Sequence, residues 1–200
     1  MKVSIMTCED RTQYLGSTTD QLDKQGIKYD IYYQGNTHKE ATIKIAKPYD
    51  SVQLNAQYNY AMILINSKND IILEDDVQIC NNFKVRFMDY VEPYQAKNTR
   101  YVIALYSCYN WYNSPNLLAE YPLIDFYGTQ GMVYDQETRI GFGQYLLKHL
   151  GEQPYDLALK TYLAQTGTPL LATKYSLVQH MGAQTTGLGH HHQAFNFIDD

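Results

Sequence analysis

Residues 70–77 read DIILEDDV, and no other stretch limits the fold as much. A continuous apolar run of this length suits a strand buried on both faces, as in parallel sheets. It ends in three adjacent carboxylates, Glu74, Asp75 and Asp76. Side-by-side acids at a buried strand end are costly unless a cation or hydrogen-bond donors share their charge. The rest of the chain alternates such strands with helical spacing. Residues 2–8 (KVSIMTC) read as a first strand, and 12–25 as a helix carrying Tyr14, Leu15 and Leu22, closed by Gly26. Residues 28–34 (KYDIYYQ) give a second strand, and 36–52 are irregular. Residues 54–65 suit a helix whose apolar positions are Leu54, Tyr58, Ala61, Met62 and Ile65.

Further along, Asn81 or Asn82 can cap a helix reaching to about residue 96, and 101–108 (YVIALYSC) read as another buried strand. A loop rich in Asn, Tyr and Pro follows, then the Gly-rich YGTQGMVY and a helix over about 136–150. Pro154 sits in the first turn of a helix running to Gln165, ended by Gly167. Residues 169–180 hold a short strand before a Gly- and His-rich tail. Strands alternating with helices predict an α/β fold, with a mostly parallel central sheet flanked by helices. Two hundred residues without an internal repeat or linker predict a single domain.

Composition narrows the function. At 44% hydrophobic residues the chain can bury a core. A net charge of −5 without a Lys/Arg cluster argues against nucleic acid as a partner. Twenty Tyr, against six Phe and one Trp, supply flat faces with polar tips. These suit sugar and nucleotide grooves as well as half-buried packing. Cys8, Cys80 and Cys108 are far apart and lack a CxxC, which argues for reduced, packed thiols. The first residues are too short an apolar run for a signal segment, and Ala61 to Ile65 cannot cross a bilayer. No Asn-x-Ser/Thr acceptor occurs. The expectation is a soluble, cytoplasmic protein without a membrane span.

In open α/β sheets ligands bind beyond the carboxyl ends of the strands, where the three acids emerge. Strand alternation would send Glu74 and Asp76 to one face and Asp75 to the other. A divalent cation makes adjacent carboxylates tolerable. Magnesium and manganese take few protein carboxylates and fill their other sites with water and phosphate oxygens. A solvated strand end is the rival reading.

The stretch IILEDDV resembles the metal-binding DxD-type element of GT-A glycosyltransferases, nucleotide-sugar enzymes with a Rossmann-like sheet. TCEDRTQYLGSTTDQL resembles the first βα unit of the N-acetylglucosaminyltransferase IV family, and NYAMILINSKNDIILEDDVQIC its helix and strand into Glu-Asp-Asp. PYDLAL resembles that family's Pro-x-Asp-x-Leu-Leu element. SLVQHMGAQTTGLG resembles its Ser-Leu-x-Gln-His-x-Gly-x-x-Ser-Ser-Leu segment. The blocks fall in the family's order over most of the chain. Thr185 and Thr186 stand for its Ser-Ser, and Gly189 and His190 for its Gly-Lys. The family's membrane anchor and C-terminal extra domain have no counterpart, so a minimal catalytic domain is implied.

The resemblance implies residues 1–105 as a nucleotide-sugar-binding half, and 106–200 as an acceptor-binding and catalytic half with a C-terminal tail. Asp76 and His180 would hold Mn²⁺ or Mg²⁺, with a core histidine as the rival reading of His180. Glu74 or Asp75 would bind the ribose or a water on the metal. Asp156 would be the general base of an inverting transfer; its rival role is simply favouring the helix N-terminus. Thr7 and Arg11 are candidates for uridine and phosphate, and Asn59 for the base. Gly131 would let backbone approach the donor sugar or serve as a turn glycine. His190 would fold over the diphosphate. Tyr109, Trp111 and Tyr112 would form an acceptor platform, with loop packing as rival.

The implied activity is transfer of GlcNAc from UDP-GlcNAc to a glycan or glycoconjugate hydroxyl. Alternatives are a galactosyl- or glucosyltransferase of the lipopolysaccharide or collagen-modifying type, and a non-catalytic nucleotide-sugar or glycan-binding relative. A two-metal phosphodiesterase or nucleotidyltransferase needs more carboxylates than the motifs supply.

Overall fold

The computed structural model describes residues 1–36, 39–108, 114–182, 193–194 and 196–199. Its elements are β1 (Lys2–Cys8), a 3-10 turn (Glu9–Arg11), α1 (Thr12–Lys24), β2 (Lys28–Gln34), β3 (Ile43–Ile45), α2 (Val52–Asn66), β4 (Ile71–Glu74) and β5 (Val77–Ile79). There follow α3 (Phe83–Tyr90), α4 (Glu92–Gln95), β6 (Val102–Ala104), β7 (Leu118–Glu120), β8 (Gly131–Tyr134), α5 (Gln136–Lys148), α6 (Tyr155–Thr166), β9 (Leu170–Thr173) and β10 (Val178–His180).

Eight strands form one sheet in the order β3-β2-β1-β4-β8-β6-β9-β7. β8 and β7 run against the other six, so the sheet is mostly parallel. The fold is α/β, as the alternation predicts. Side chains along each strand divide between two cores, because successive residues point to opposite faces. Val3, Ile5, Ile71, Leu73, Ile103 and Val133 pack with Leu15 and Leu22 of α1 and Phe83 and Phe87 of α3. Ile72, Val102, Ala104, Met132 and Tyr134 pack with α2, α5 and α6. The sheet draws strands from both predicted halves, since β8 inserts between β4 and β6.

The expected strand over 70–77 is broken. β4 stops at Glu74, and Val77 begins β5, which leaves the main sheet to pair antiparallel with β10. Asp75 and Asp76 form the turn between them, so face alternation does not govern the three acids. The Thr18 hydroxyl of α1 pins this turn, donating to the carbonyls of Asp75 (2.6 Å) and Val77 (2.9 Å).

Other expectations shift for local reasons. In α2 the buried face carries Asn55, Gln57 and Asn59 beside Tyr60, Ala61, Ile63 and Leu64, whereas Leu54, Tyr58, Met62 and Ile65 are only partly buried. The polar residues tolerate burial because they bond backbone: Asn55 to Tyr49, and Gln57 to Gly151 and Gln153. Asn82 does not cap α3; it is left-handed (φ 57°) without a side-chain bond, and Gln25 accepts from the Phe83 amide instead. The strand expected over 101–108 is only β6, and β3 and β7 are short edge strands within stretches read as irregular. Gly26 (φ 63°) and Gly167 (φ 64°) end α1 and α6 as predicted.

Candidate functional site

β1 and β4 are neighbours, but β2 and β3 lie beyond one and β8 beyond the other. Ligands of an α/β sheet bind beyond the carboxyl ends of its strands. Thr7 and Arg11 follow β1 there; Glu74, Asp75 and Asp76 follow β4. All three acids are buried, at 5%, 2% and 1% exposure.

The Thr7 hydroxyl donates to Asp75 (2.6 Å), and Arg11 lies between Asp75 (3.2 Å) and Asp76, donating to the latter. The β5–β10 ribbon sets His180 opposite Val77, so the His180 Nε2 meets Asp76 Oδ2 at 3.0 Å. The Met181 amide adds a bond to the Asp76 carbonyl (2.8 Å). Glu74 turns elsewhere, its Oε1 accepting from Thr129 (2.9 Å) and Tyr155 (3.2 Å). The Asn59 amide donates to the Thr7 carbonyl (3.2 Å), and its Oδ1 is a buried acceptor without a partner among the described residues. A cleft beside this group is lined by Thr7, Arg11, Gln34, Lys47, Asn59 and Asp75.

The electrostatics follow from burial and from the two cationic side chains. Burial pushes Asp75 up to about 7, against the pull of Arg11 and Thr7. Burial, with Asp76 as a like charge, also raises Glu74. For Asp76 burial acts upward too, but the His180 hydrogen bond and the Arg11 charge outweigh it and hold the carboxyl low. Burial opposes protonation of His180, yet the bond to Asp76 wins and raises it. Burial works against the Arg11 charge as well, and the acids more than restore it.

Seven of the residues singled out from sequence therefore lie together: Thr7, Arg11, Asn59, Glu74, Asp75, Asp76 and His180. Asp156 lies in the first turn of α6, next to Tyr155, and its charge is felt by Tyr127. Its side chain makes no hydrogen bond among the described residues. Gly131 does not border the cleft. It lies in β8 under core side chains, where a β-carbon would come within 2.8 Å of Val178 Cγ2 and 3.3 Å of Leu73 Cδ2. Tyr109, Trp111, Tyr112 and His190 lie outside the described residues. Sequence reasoning missed Thr18, Thr129, Tyr155 and Gly182. A β-carbon on Gly182 would run into Asp76 Oδ2 and sit 2.8 Å from His180 Nε2. A glycine two residues after the candidate histidine was the available signal.

Among the described residues no group of three or more His, Cys, Asp or Glu could hold a metal by itself, and no helix is long and apolar enough to cross a membrane. The chain matches no protein-family model and no curated protein sequence. Among solved structures it is similar to the glycosyltransferase GlyE of Streptococcus pneumoniae TIGR4, at 10% identity and a TM-score of 0.42 over 88% of this chain. The chain spans 54% of that structure's length. It is also similar to a Bacillus anthracis protein described as a glucose-1-phosphate thymidylyltransferase in complex with sucrose. There the identity is 12% and the TM-score 0.47, over 90% of this chain and 89% of that one. Likenesses at these scores decide nothing alone; the α/β class rests on the strand order and pairing.

Proposed function

We propose that this chain is a metal-dependent, inverting GT-A glycosyltransferase that uses UDP-GlcNAc as donor and a glycan hydroxyl as acceptor. The observation that supports it most is the meeting of the acid turn, Arg11 and His180 at the carboxyl ends of β1 and β4. Ligands of an α/β sheet bind at that end of the strands.

The residues fit Mn²⁺ or Mg²⁺. Asp76 Oδ1 is buried without a partner among the described residues, and Asp76 Oδ2 and His180 Nε2 converge on the bare backbone of Gly182. Asp76 and His180 would hold the ion, a carboxylate–imidazole pair that manganese accepts. Their small number leaves coordination sites for diphosphate oxygens and water. The bound ion supplies charge stabilisation to the leaving diphosphate. His180 and Asp76 would have to give up the proton of their hydrogen bond to hold the ion, so affinity would rise with pH.

Thr7, Asn59 and Arg11 line the cleft and would hold the nucleoside and its phosphates. The Arg11 guanidinium remains charged there, suited to phosphate oxygens. Asp156 would take the proton from the acceptor hydroxyl as that oxygen bonds the anomeric carbon and the bond to the diphosphate breaks. Such a base contributes about 10²–10⁴-fold.

UDP release measured with UDP-GlcNAc, UDP-galactose and UDP-glucose, each with Mn²⁺, tests the reading. Turnover of UDP-GlcNAc above the others supports it. Preference for another hexose replaces the donor, binding without turnover indicates a non-catalytic relative, and neither binding nor turnover overturns the whole reading.

A further inference from the structure

Glu74 is bonded unlike the two acids that follow it. Its Oε1 accepts from Thr129, ahead of β8, and from Tyr155, the first residue of α6, partners 55 and 81 residues further along the chain. One buried carboxylate oxygen thus ties the acid turn to two distant segments. The Tyr155 ring is itself held, stacked on Tyr60 of α2 with centroids 4.8 Å apart and planes at 22°. The Tyr60 hydroxyl is fastened in turn to that of Tyr134 (2.9 Å). Burial, reinforced by Glu74, keeps the Tyr155 hydroxyl protonated, as a donor to a carboxylate must be. Behind it, Gln57 grips the approach to α6 through the Gly151 amide (2.8 Å) and the Gln153 carbonyl (2.9 Å).

Asp156 comes next. With no side-chain hydrogen bond of its own among the described residues, it takes its position from the backbone that Tyr155 anchors. We propose that Tyr155 is a positioning residue whose hydroxyl bond to Glu74 fixes the first turn of α6, and with it the Asp156 carboxylate, relative to the acid turn. Glu74 then serves as the fixed end of a strut. The catalytic half of this proposal rests on the transferase reading above.

Tyr155→Phe and Thr129→Val each remove one donor to the same Glu74 oxygen. Thr129 also bonds the Tyr155 hydroxyl, but Thr129→Val leaves the Tyr155–Glu74 bond itself in place, and only Tyr155→Phe breaks it. In Tyr155→Phe, kcat is expected to fall about 10- to 100-fold, the cost of a small misplacement of a reacting group, while the Kd for UDP with Mn²⁺ changes by less than about twofold. Thr129→Val is expected to keep kcat within about threefold. Amide hydrogen exchange over residues 156–159 reads the strut without turnover, and is expected to accelerate in Tyr155→Phe and not in Thr129→Val. Equal losses of kcat in the two variants, or unchanged exchange in Tyr155→Phe, overturn the proposal. A wild type that turns over no donor overturns the transferase reading instead, and exchange alone then decides whether Tyr155 holds α6.

Discussion

Two carboxylate settings, the acid turn after β4 and the first turn of α6, differ in what holds them. In the acid turn, Asp75 and Asp76 are buried against Arg11, and Asp76, which also meets His180, is held low so that its charge is built into the fold. At the start of α6, Asp156 is half-buried and bonded to no described side chain. On the proposed reading, the difference separates holding from reacting. A carboxylate already shared with a guanidinium and an imidazole suits a metal ion that replaces one cation by another. A carboxylate with free lone pairs suits the capture of a proton. The link between the two settings is Tyr155, bonded to Glu74 and adjacent to Asp156.

The largest expected effect breaks the first setting. Asp76→Ala takes from Arg11 and His180 the acid they share and leaves Arg11 only Asp75, which should cost about 3–5 kcal/mol in urea unfolding. It should also abolish any Mn²⁺-induced rise in melting temperature. If stability is unchanged, the turn is not held by this charge cluster. The matching change in the second setting is Asp156→Asn. It is expected to lower turnover by about 10²–10⁴-fold while unfolding free energy moves by less than about 0.5 kcal/mol. A stability loss comparable to that of Asp76→Ala would mean the two acids are not different in kind.

Gly131→Ala sharpens the boundary of the site. The added methyl meets Val178 and Leu73, so a loss of about 1–3 kcal/mol is expected, read by denaturant unfolding, with the UDP Kd unchanged. Weakened UDP binding at full stability would return Gly131 to the donor side.

The smallest effect is in pH. Asp75 is raised from 3.8 to about 7, so between those values the folded chain keeps a proton that the unfolded chain has released. Stability from this group is therefore lost as pH rises toward neutrality. His180, raised by Asp76, acts in the same sense: its contribution is complete below the ordinary 6.5 and fades as pH climbs through the raised value. Asp76, held below 3.8, contributes above that value and loses its contribution only as pH falls further. Thermal melts in chelator should show a falling midpoint from about pH 5 to about pH 8, and a flatter profile in Asp75→Asn. A rising midpoint across that window would contradict the burial of Asp75.

Much of the fold is legible in the sequence. The strand and helix pattern is a local property of side-chain periodicity, and β1, α1, β2, α5 and α6 lie close to where that pattern puts them. The three acids were legible as the end of a buried strand, where α/β sheets present ligands, and Thr7 and Arg11 through the resemblance of TCEDRTQYLG to a glycosyltransferase strand–helix unit. The α2 face was misread because periodicity counts apolar residues, whereas Asn55 and Gln57 are buried by bonds to loops distant in sequence or irregular in form. The break of the strand at Asp75 was hidden for a similar reason, since Thr18 of α1 pins the turn.

By itself, the sequence determined the α/β class and the chemistry available at the end of β4: carboxylates, a guanidinium and an imidazole. Only the tertiary structure decided which of them meet. His180 reaches Asp76 through the register of a two-stranded ribbon, Gly131 is spent on packing β8 against Leu73 and Val178, and Glu74 is turned away to Tyr155. Strand register and long-range hydrogen bonds depend on partners far apart in the chain, and no local spacing of residues encodes them.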